Sequence, residues 1–266
     1  IMHNWELAGD WRGVFAHKNQ LGSVMGVAVF TQLFLLTLGA TSRVRGVTLL
    51  LLYLALAVLS HSATAALMSA IYLIGAGAYW AWPKNRFSGP VVSLSLALAL
   101  TFVVVAFLYS PAFVLGALGK VSTLTGRTSL WALVVQLIAQ KPFLGWGYRA
   151  MWQQSDAVTT HVSAAVGWAV PGSHNAFLEV ALQLGLVGVG LLILILLTGL
   201  YRAARCSEAG VQPLGWFSMM FFVGIIAAGQ TLETLGQNQV IEWFVFNMLL
   251  FYCGQALARS ARPGKV

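Results

Sequence analysis

Apolar residues run through this chain in blocks long enough for a helix to cross a lipid bilayer, and that repetition constrains the fold more than any other feature. The blocks are Ser23–Ala40, Gly46–Ser60, Ala65–Trp82, Val91–Tyr109, Phe177–Leu200, Leu214–Thr231 and Val240–Leu257. A helix needs roughly 17 to 25 apolar residues to cross a hydrocarbon core of about 30 Å. In lipid the backbone must satisfy its own hydrogen bonds, which unbroken apolar runs do as helices, whereas barrel strands alternate over about 10 residues. With 59% hydrophobic and 8% charged residues, the chain is far from a soluble domain, which carries about 25% charged residues. The expectation is an all-α, polytopic transmembrane bundle of about seven spans with a long extracytoplasmic loop containing short helices. Residues 1–266 are read as a single membrane domain.

The chain opens Ile1-Met2-His3-Asn4, without an initiator Met or the basic start of a signal peptide. It is therefore expected to be the C-terminal part of a longer protein. Cys206 lies in a basic connection and Cys253 in a late apolar run, so both are expected as free thiols.

The net charge of +8 does not point to nucleic acid, because the cations lie between apolar runs and not on one soluble face. They report topology instead. Alternating crossings put Arg43, Arg45, Lys84, Arg86, Arg202, Arg205, Arg259, Arg262 and Lys265 on one side, which the positive-inside rule makes cytoplasmic. The other side gathers Arg12, Lys18, Lys120, Arg127, Lys141 and Arg149 with every histidine: His3, His17, His61, His161 and His174. Cations placed outward against the usual bias are expected to bind something.

The outward loop, residues 110–176, is where the candidate active site is expected. Within it, Leu130, Leu133, Val134, Leu137 and Ile138 recur at helical spacing over Ser129–Gln140. Thr125 or Thr128 is placed to cap that helix, with Arg127 near its N-terminus. Helix N-terminus and arginine together hold an anion well. No His-Glu-x-x-His, paired cysteine or phosphate-cradling Gly-rich loop occurs, so no metal and no cofactor is expected. Gly185, Gly188 and Gly190 lie in an apolar run, where small residues let helices pack closely. His174 follows Pro171-Gly172-Ser173 at the mouth of a helix, and an imidazole with an ordinary pKa near 6.5 can accept a proton there.

Several short motifs occur in order: Trp11-Arg12-Gly13-Val14-Phe15 with His17-Lys18-Asn19, then Ser60 and Ser62, then Thr125-Gly126-Arg127 with Trp131. Pro142 with Gly145-Trp146-Gly147-Tyr148 follows, and then His174-Asn175-Ala176-Phe177-Leu178-Glu179 with Gly185 and Gly188. The series resembles the O-antigen ligase and polymerase superfamily, including exopolysaccharide polymerases. Members usually have about a dozen spans, so the early helices would be missing here. Members often carry a basic residue in the Ser-x-Ser segment; here Ala63 follows Ser62, and the resemblance requires His61, Arg12 or Lys18 to take that place.

The resemblance implies an integral-membrane glycosyltransferase, metal-independent, in the bacterial inner membrane with its active site facing the periplasm. Its donor would be a glycan on undecaprenyl pyrophosphate, and its acceptor another glycan or lipid A core. Polysaccharide export and chain-length proteins are the expected partners, beside membrane lipid. Arg127 would stabilise the departing pyrophosphate, and His174 would orient or deprotonate the acceptor hydroxyl. Arg12, Lys18, Asn19, Ser60, Ser62, Arg149, Asn175 and Glu179 would bind substrate, with Asn175 and Glu179 fixing the His174 ring.

A transporter or flippase of lipid-linked saccharide is the alternative. Transporters place polar groups near the bilayer midplane and interrupt their helices. The span interiors here hold few such groups, chiefly Gln32, Gln183, Gln230 and Asn247.

Overall fold

The computed structural model describes residues 10–81, 125–152, 157–230, 232, 235 and 240–260, with side chains of the helix at 125–140 described from residue 129 onward. Among these residues there are eight helices and no strand: α1 (Lys18–Thr37), α2 (Arg43–Leu59), α3 (Ala63–Ala81), α4 (Thr125–Gln140), α5 (Ala157–Val166), α6 (Ala176–Glu208), α7 (Gln212–Ala228) and α8 (Ile241–Ser260). The expected run Val91–Tyr109 lies outside the described residues.

Four helices, α1, α3, α6 and α8, are long and apolar enough to cross a membrane. Most of Gly46–Ser60 folds as α2 and most of Leu214–Thr231 as α7, helices of 17 residues each, about 26 Å long at 1.5 Å per residue. Capping explains where the helices begin. His17 Nδ1 accepts from Asn19 N at 3.1 Å, so α1 starts five residues before the apolar run, in polar sequence. Ser42 caps α2 in the same way, through Arg45 N. At the other end of the chain, α6 carries the Phe177–Leu200 run on through Arg202 and Arg205 to Glu208, because that connection contains no helix breaker before Gly210.

The chain divides into two compact units. The first comprises Ile1–Ala97, Leu200–Ala228 and Phe244–Val266. In it α1 packs on α2 and α3, and α3 on α7. Aromatic rings fill the core. Phe30 lies 4.8 Å from Phe221 and 5.3 Å from Tyr72 between ring centroids, and Phe34 lies 5.2 Å from Phe217. Trp216 Nε1 donates to Gly75 O at 3.0 Å, giving a buried indole N–H its partner. Gly22 lets α1 approach the start of α3, since a Cβ there would lie 2.7 Å from Ser62 Cβ.

The second unit comprises Leu98–Gly199 and Gly229–Trp243. Its core is Leu130, Val134, Met151, Val162, Val170 and Leu182, flanked by Leu133, Leu137, Ile138, Trp131, Trp146 and Trp168. The five apolar positions at helical spacing on α4 thus all face this core. Helix α6 is broken at Gly185, which takes φ 64 and ψ −163. The segment Pro142–Gly147 fills the break with backbone bonds: Leu186 N to Pro142 O (2.7 Å), Val187 N to Phe143 O (3.2 Å), Trp146 N to Leu182 O (2.9 Å) and Gly147 N to Gln183 O (2.9 Å).

This corrects the reading of the α6 glycines as helix-packing positions. A Cβ on Gly185 would run into the Phe143 carbonyl, a Cβ on Gly188 into Leu184 of its own helix, and a Cβ on Gly190 would meet nothing within 4 Å. Gly185 is kept small by a loop and by its own backbone conformation, and not by a neighbouring helix.

Candidate functional site

In the second unit the site is a turn held from both ends. Asn175 caps α6: its Oδ1 accepts from Phe177 N (3.0 Å) and Leu178 N (3.1 Å). Its Nδ2 donates to Gln230 O at 3.4 Å, and Ala176 N donates to Gly229 O at 2.7 Å. Ser173 Oγ donates across the turn to Asn175 O at 2.9 Å. Trp131 Nε1 donates to Ser173 O at 2.9 Å, tying α4 to the same turn. Between these anchored neighbours, His174 sits at φ 54, half-buried, its ring 5.5 Å from that of Trp168 between centroids.

Glu179 lies one turn into α6 and is 2% exposed. Its oxygens accept from Trp152 Nε1 (2.9 and 3.1 Å), from Ser173 N (3.0 Å) and from Gln183 Nε2 (2.6 Å). Gln183 Oε1 in turn accepts from Arg149 N at 3.0 Å. A carboxylate in the first turn is also favoured by the helix dipole. One buried carboxylate and one amide therefore organise the segment carrying Arg149 and Trp152 together with the turn carrying His174. The described bonds of Asn175 and Glu179 fix the backbone on either side of the imidazole. The Arg149 side chain is exposed. Arg127 belongs to the first turn of α4, and its side chain lies outside the described residues.

Among the described residues, four non-glycine residues have positive φ: His61 (48°), Arg149 (56°), Trp152 (70°) and His174 (54°). Left-handed backbone is costly for residues with a Cβ, and where it persists it is often functional. Arg149 and His174 are expected site residues. Trp152 carries no expectation from the sequence, and His61 enters only as a stand-in for the basic residue of the Ser-x-Ser segment, because nothing in a one-dimensional pattern marks a left-handed Trp or His.

The first unit holds the expected binders Arg12, Lys18, Asn19, Ser60 and Ser62, and one of them, Lys18, meets an acid for which the sequence suggests no role, Asp10. Its Oδ2 accepts from Lys18 Nζ at 2.7 Å, and its Oδ1 lies 2.5 Å from His61 Nδ1. The hydrogen bond from Lys18, then that from His61, holds the Asp10 carboxyl below its ordinary pKa of 3.8. Burial, then the charge of Lys18, pushes His17 below 6.5, which suits a ring nitrogen that must accept from Asn19 N. Arg12 is exposed and Asn19 half-buried. Ser60 and Ser62 are buried and bonded to backbone: Ser60 Oγ donates to Ala57 O (2.6 Å), and Ser62 Oγ accepts from Ala65 N (3.4 Å). Among the described residues, no three His, Cys, Asp or Glu gather to hold a metal ion.

The second unit thus carries a histidine on a turn whose neighbours are anchored, and the first carries the cations Arg12 and Lys18. Comparison with known proteins gives the chain a family. The O-antigen ligase family matches residues 46–193, an interval that includes His61, the Pro142–Gly147 segment and the His174 turn. The chain is also 32% identical over 209 residues to the exopolysaccharide production protein ExoQ of Rhizobium meliloti, a match covering 71% of this chain and 46% of the relative. The chain thus spans about half the length of that relative. With more than half of its residues matched, in the interval that carries the anchored histidine, this chain belongs to the O-antigen ligase family.

Proposed function

We propose that the protein is the C-terminal part of an integral-membrane glycosyltransferase that ligates or polymerises glycan from an undecaprenyl-pyrophosphate carrier at the periplasmic face of the inner membrane. In the reaction, an acceptor hydroxyl attacks the anomeric carbon of the donor sugar. The new C–O bond forms as the bond from that carbon to the pyrophosphate oxygen breaks. The hydroxyl proton passes to His174, and the carrier leaves as pyrophosphate. A single displacement of this kind inverts the sugar.

His174 is the catalytic base in this reading, and a positioned base contributes about 10² to 10⁴-fold. The observation that carries the assignment is the anchored left-handed turn. Arg127 is assigned to the charge that grows on the pyrophosphate, where a bidentate guanidinium is the best match. Arg12, Arg149 and Lys18 support donor binding, while Asn175 and Glu179 hold the His174 turn. Asn19, Ser60 and Ser62 are assigned to the same donor. The acceptor is lipid A core or a second glycan.

One observation favours a second reading. A helix broken within an apolar run, as α6 is at Gly185, is characteristic of transporters that bind ions or substrate at unwound backbone. Here the freed backbone groups are taken by Pro142–Gly147, which favours a structural joint. The test is to give the purified full-length protein extracted lipid-linked glycan and an acceptor in detergent, where no gradient exists. A joined product with release of the carrier pyrophosphate is expected. Absence of product, together with glycan movement across a vesicle bilayer, would replace transfer with transport.

A further inference from the structure

The turn around His174 fixes where its Cα and Cβ stand, but the imidazole keeps two torsions of its own. A ring that must meet one hydroxyl needs those torsions settled, since a misplacement of about 1 Å can cost about 10²-fold in rate. The side chain beside it is Trp168, whose ring centroid lies 5.5 Å from that of His174 with the two planes 31° apart. At that spacing and tilt the indole lies along the imidazole, nearer to an offset stack than to an edge-on contact, and offset stacks are among the arrangements aromatic rings prefer.

Trp168 is itself held from behind. Helix α5 ends at Val166, and Gly167 takes φ 82 just past it, a left-handed C-terminal cap in which Gly167 N donates to Ser163 O at 2.9 Å. Ser163 Oγ then accepts from Val170 N at 3.2 Å, so residues 167–170 fold back onto the last turn of α5. Val170 is buried with Val162 of α5 and with Leu130 and Val134 of α4, and the Trp168 side chain packs against that same core. The bonds of Asn175 hold the His174 turn to α6, whereas Trp168 meets the ring from the cap of α5. Two scaffolds thus converge on one imidazole. We propose that Trp168 is a positioning residue: its indole, set by the cap of α5, holds the plane of the His174 ring in the orientation that transfer requires. The assignment rests on the glycosyl-transfer reading above, in which His174 acts on the acceptor hydroxyl. It is the same for either charge state of the ring, because a stacked contact uses neither ring nitrogen as donor or acceptor.

The test uses the full-length protein in nanodiscs, with lipid-linked glycan extracted from the producing cells as donor. W168A is expected to lower the maximal single-turnover rate by about 10- to 100-fold, while the donor concentration giving half that rate stays within about twofold. W168F keeps an aromatic face and should recover most of the loss. In H174A the ring to be positioned is gone, so adding W168A should cost nothing further. A measurement on the wild type needs no Trp168 variant to fold: the His174 ring protons, identified by their loss in H174A, should lie upfield under the indole ring current at both ends of a pH titration. Ring protons at the positions of a solvent-exposed histidine would overturn the proposal, as would an unchanged rate in W168A or an equal loss when W168A is added to H174A. A raised donor requirement at an unchanged maximal rate would overturn it too, and would make the indole a stacking surface for a sugar ring. The two readings fail in different ways. An H174A protein that transfers at the full rate ends the base assignment and this one with it, whereas an inactive H174A beside a fully active W168A ends this one alone.

Discussion

The amide of Leu186 donates to the carbonyl of Pro142 at 2.7 Å, a bond that replaces one α6 gives up where Gly185 leaves the helical region. The same loop returns Trp146 N and Gly147 N to the carbonyls of Leu182 and Gln183. The break therefore leaves few orphaned groups, and Gln183 and Glu179 keep their positions on the turn just before it. Two glycines make the joint possible. A Cβ on Gly145 would lie 2.5 Å from the Gln183 carbonyl carbon, a Cβ on Gly185 would overlap the Phe143 carbonyl, and both residues have φ near +65°.

Gly185→Ala and Gly145→Ala are each expected to destabilise the protein by about 2–4 kcal/mol, since both a backbone clash and a left-handed Cβ are introduced. Gly190→Ala, with open space around it, should be neutral or slightly stabilising. Thermal unfolding of the three variants in one detergent checks the order; equal melting temperatures for all three would contradict the joint.

How much of this was legible in the sequence depends on the distance between partners. The apolar spacing on α4 and the apolar runs declare their helices, because period and length are local properties. The glycines of α6 were misread because their constraint comes from Phe143 and Gln183, which meet only in the folded chain. The sequence suggests no role for Asp10 for the same reason: its partner His61 lies 51 positions away. His174 was found through its neighbours Ser173 and Asn175, whereas its left-handed backbone and the matching ones at Arg149 and Trp152 have no signature in residue type.

Glu179 offers a test of the network beside His174. Its two oxygens face only donors: the Trp152 indole, the Ser173 amide and the Gln183 amide. Glu179→Gln turns one oxygen into a donor against a donor, and a buried group left unsatisfied costs about 1–3 kcal/mol. The expected outcome is lower thermal stability, with a transfer rate reduced through the His174 turn. Trp152→Phe, which deletes one donor and leaves the carboxylate its other two, should cost less.

The N-terminus of α1 should respond to mild acid. His17 caps it as an acceptor, and burial together with Lys18 holds its pKa below 6.5. The unfolded chain therefore binds more protons than the folded one just below pH 6.5, and stability falls as pH drops from that value through the folded pKa. His17→Asn keeps an acceptor that does not titrate and should flatten the melting temperature between pH 7 and 5. His17→Ala should lower stability at pH 7 by about 1 kcal/mol through loss of the cap. Asp10 adds a second, lower step: its pKa is depressed, so its contribution persists above 3.8 and fades only as pH falls through the folded value.

His174 separates chemistry from architecture. The turn around it is fixed by Ser173, Asn175 and Trp131, so replacing the ring should leave the fold in place. His174→Ala in the full-length protein is expected to lose about 10² to 10⁴-fold in transfer rate, with donor affinity nearly unchanged, since the base acts in the transition state and not in binding. His174→Gly should relieve the φ of 54°, raising the melting temperature while abolishing transfer just as fully. Arg149→Ala should do the reverse, weakening donor binding more than turnover. Single-turnover rates and donor titrations on the three variants distinguish these patterns, and a His174→Gly protein that is both more stable and fully active would remove the imidazole from the mechanism.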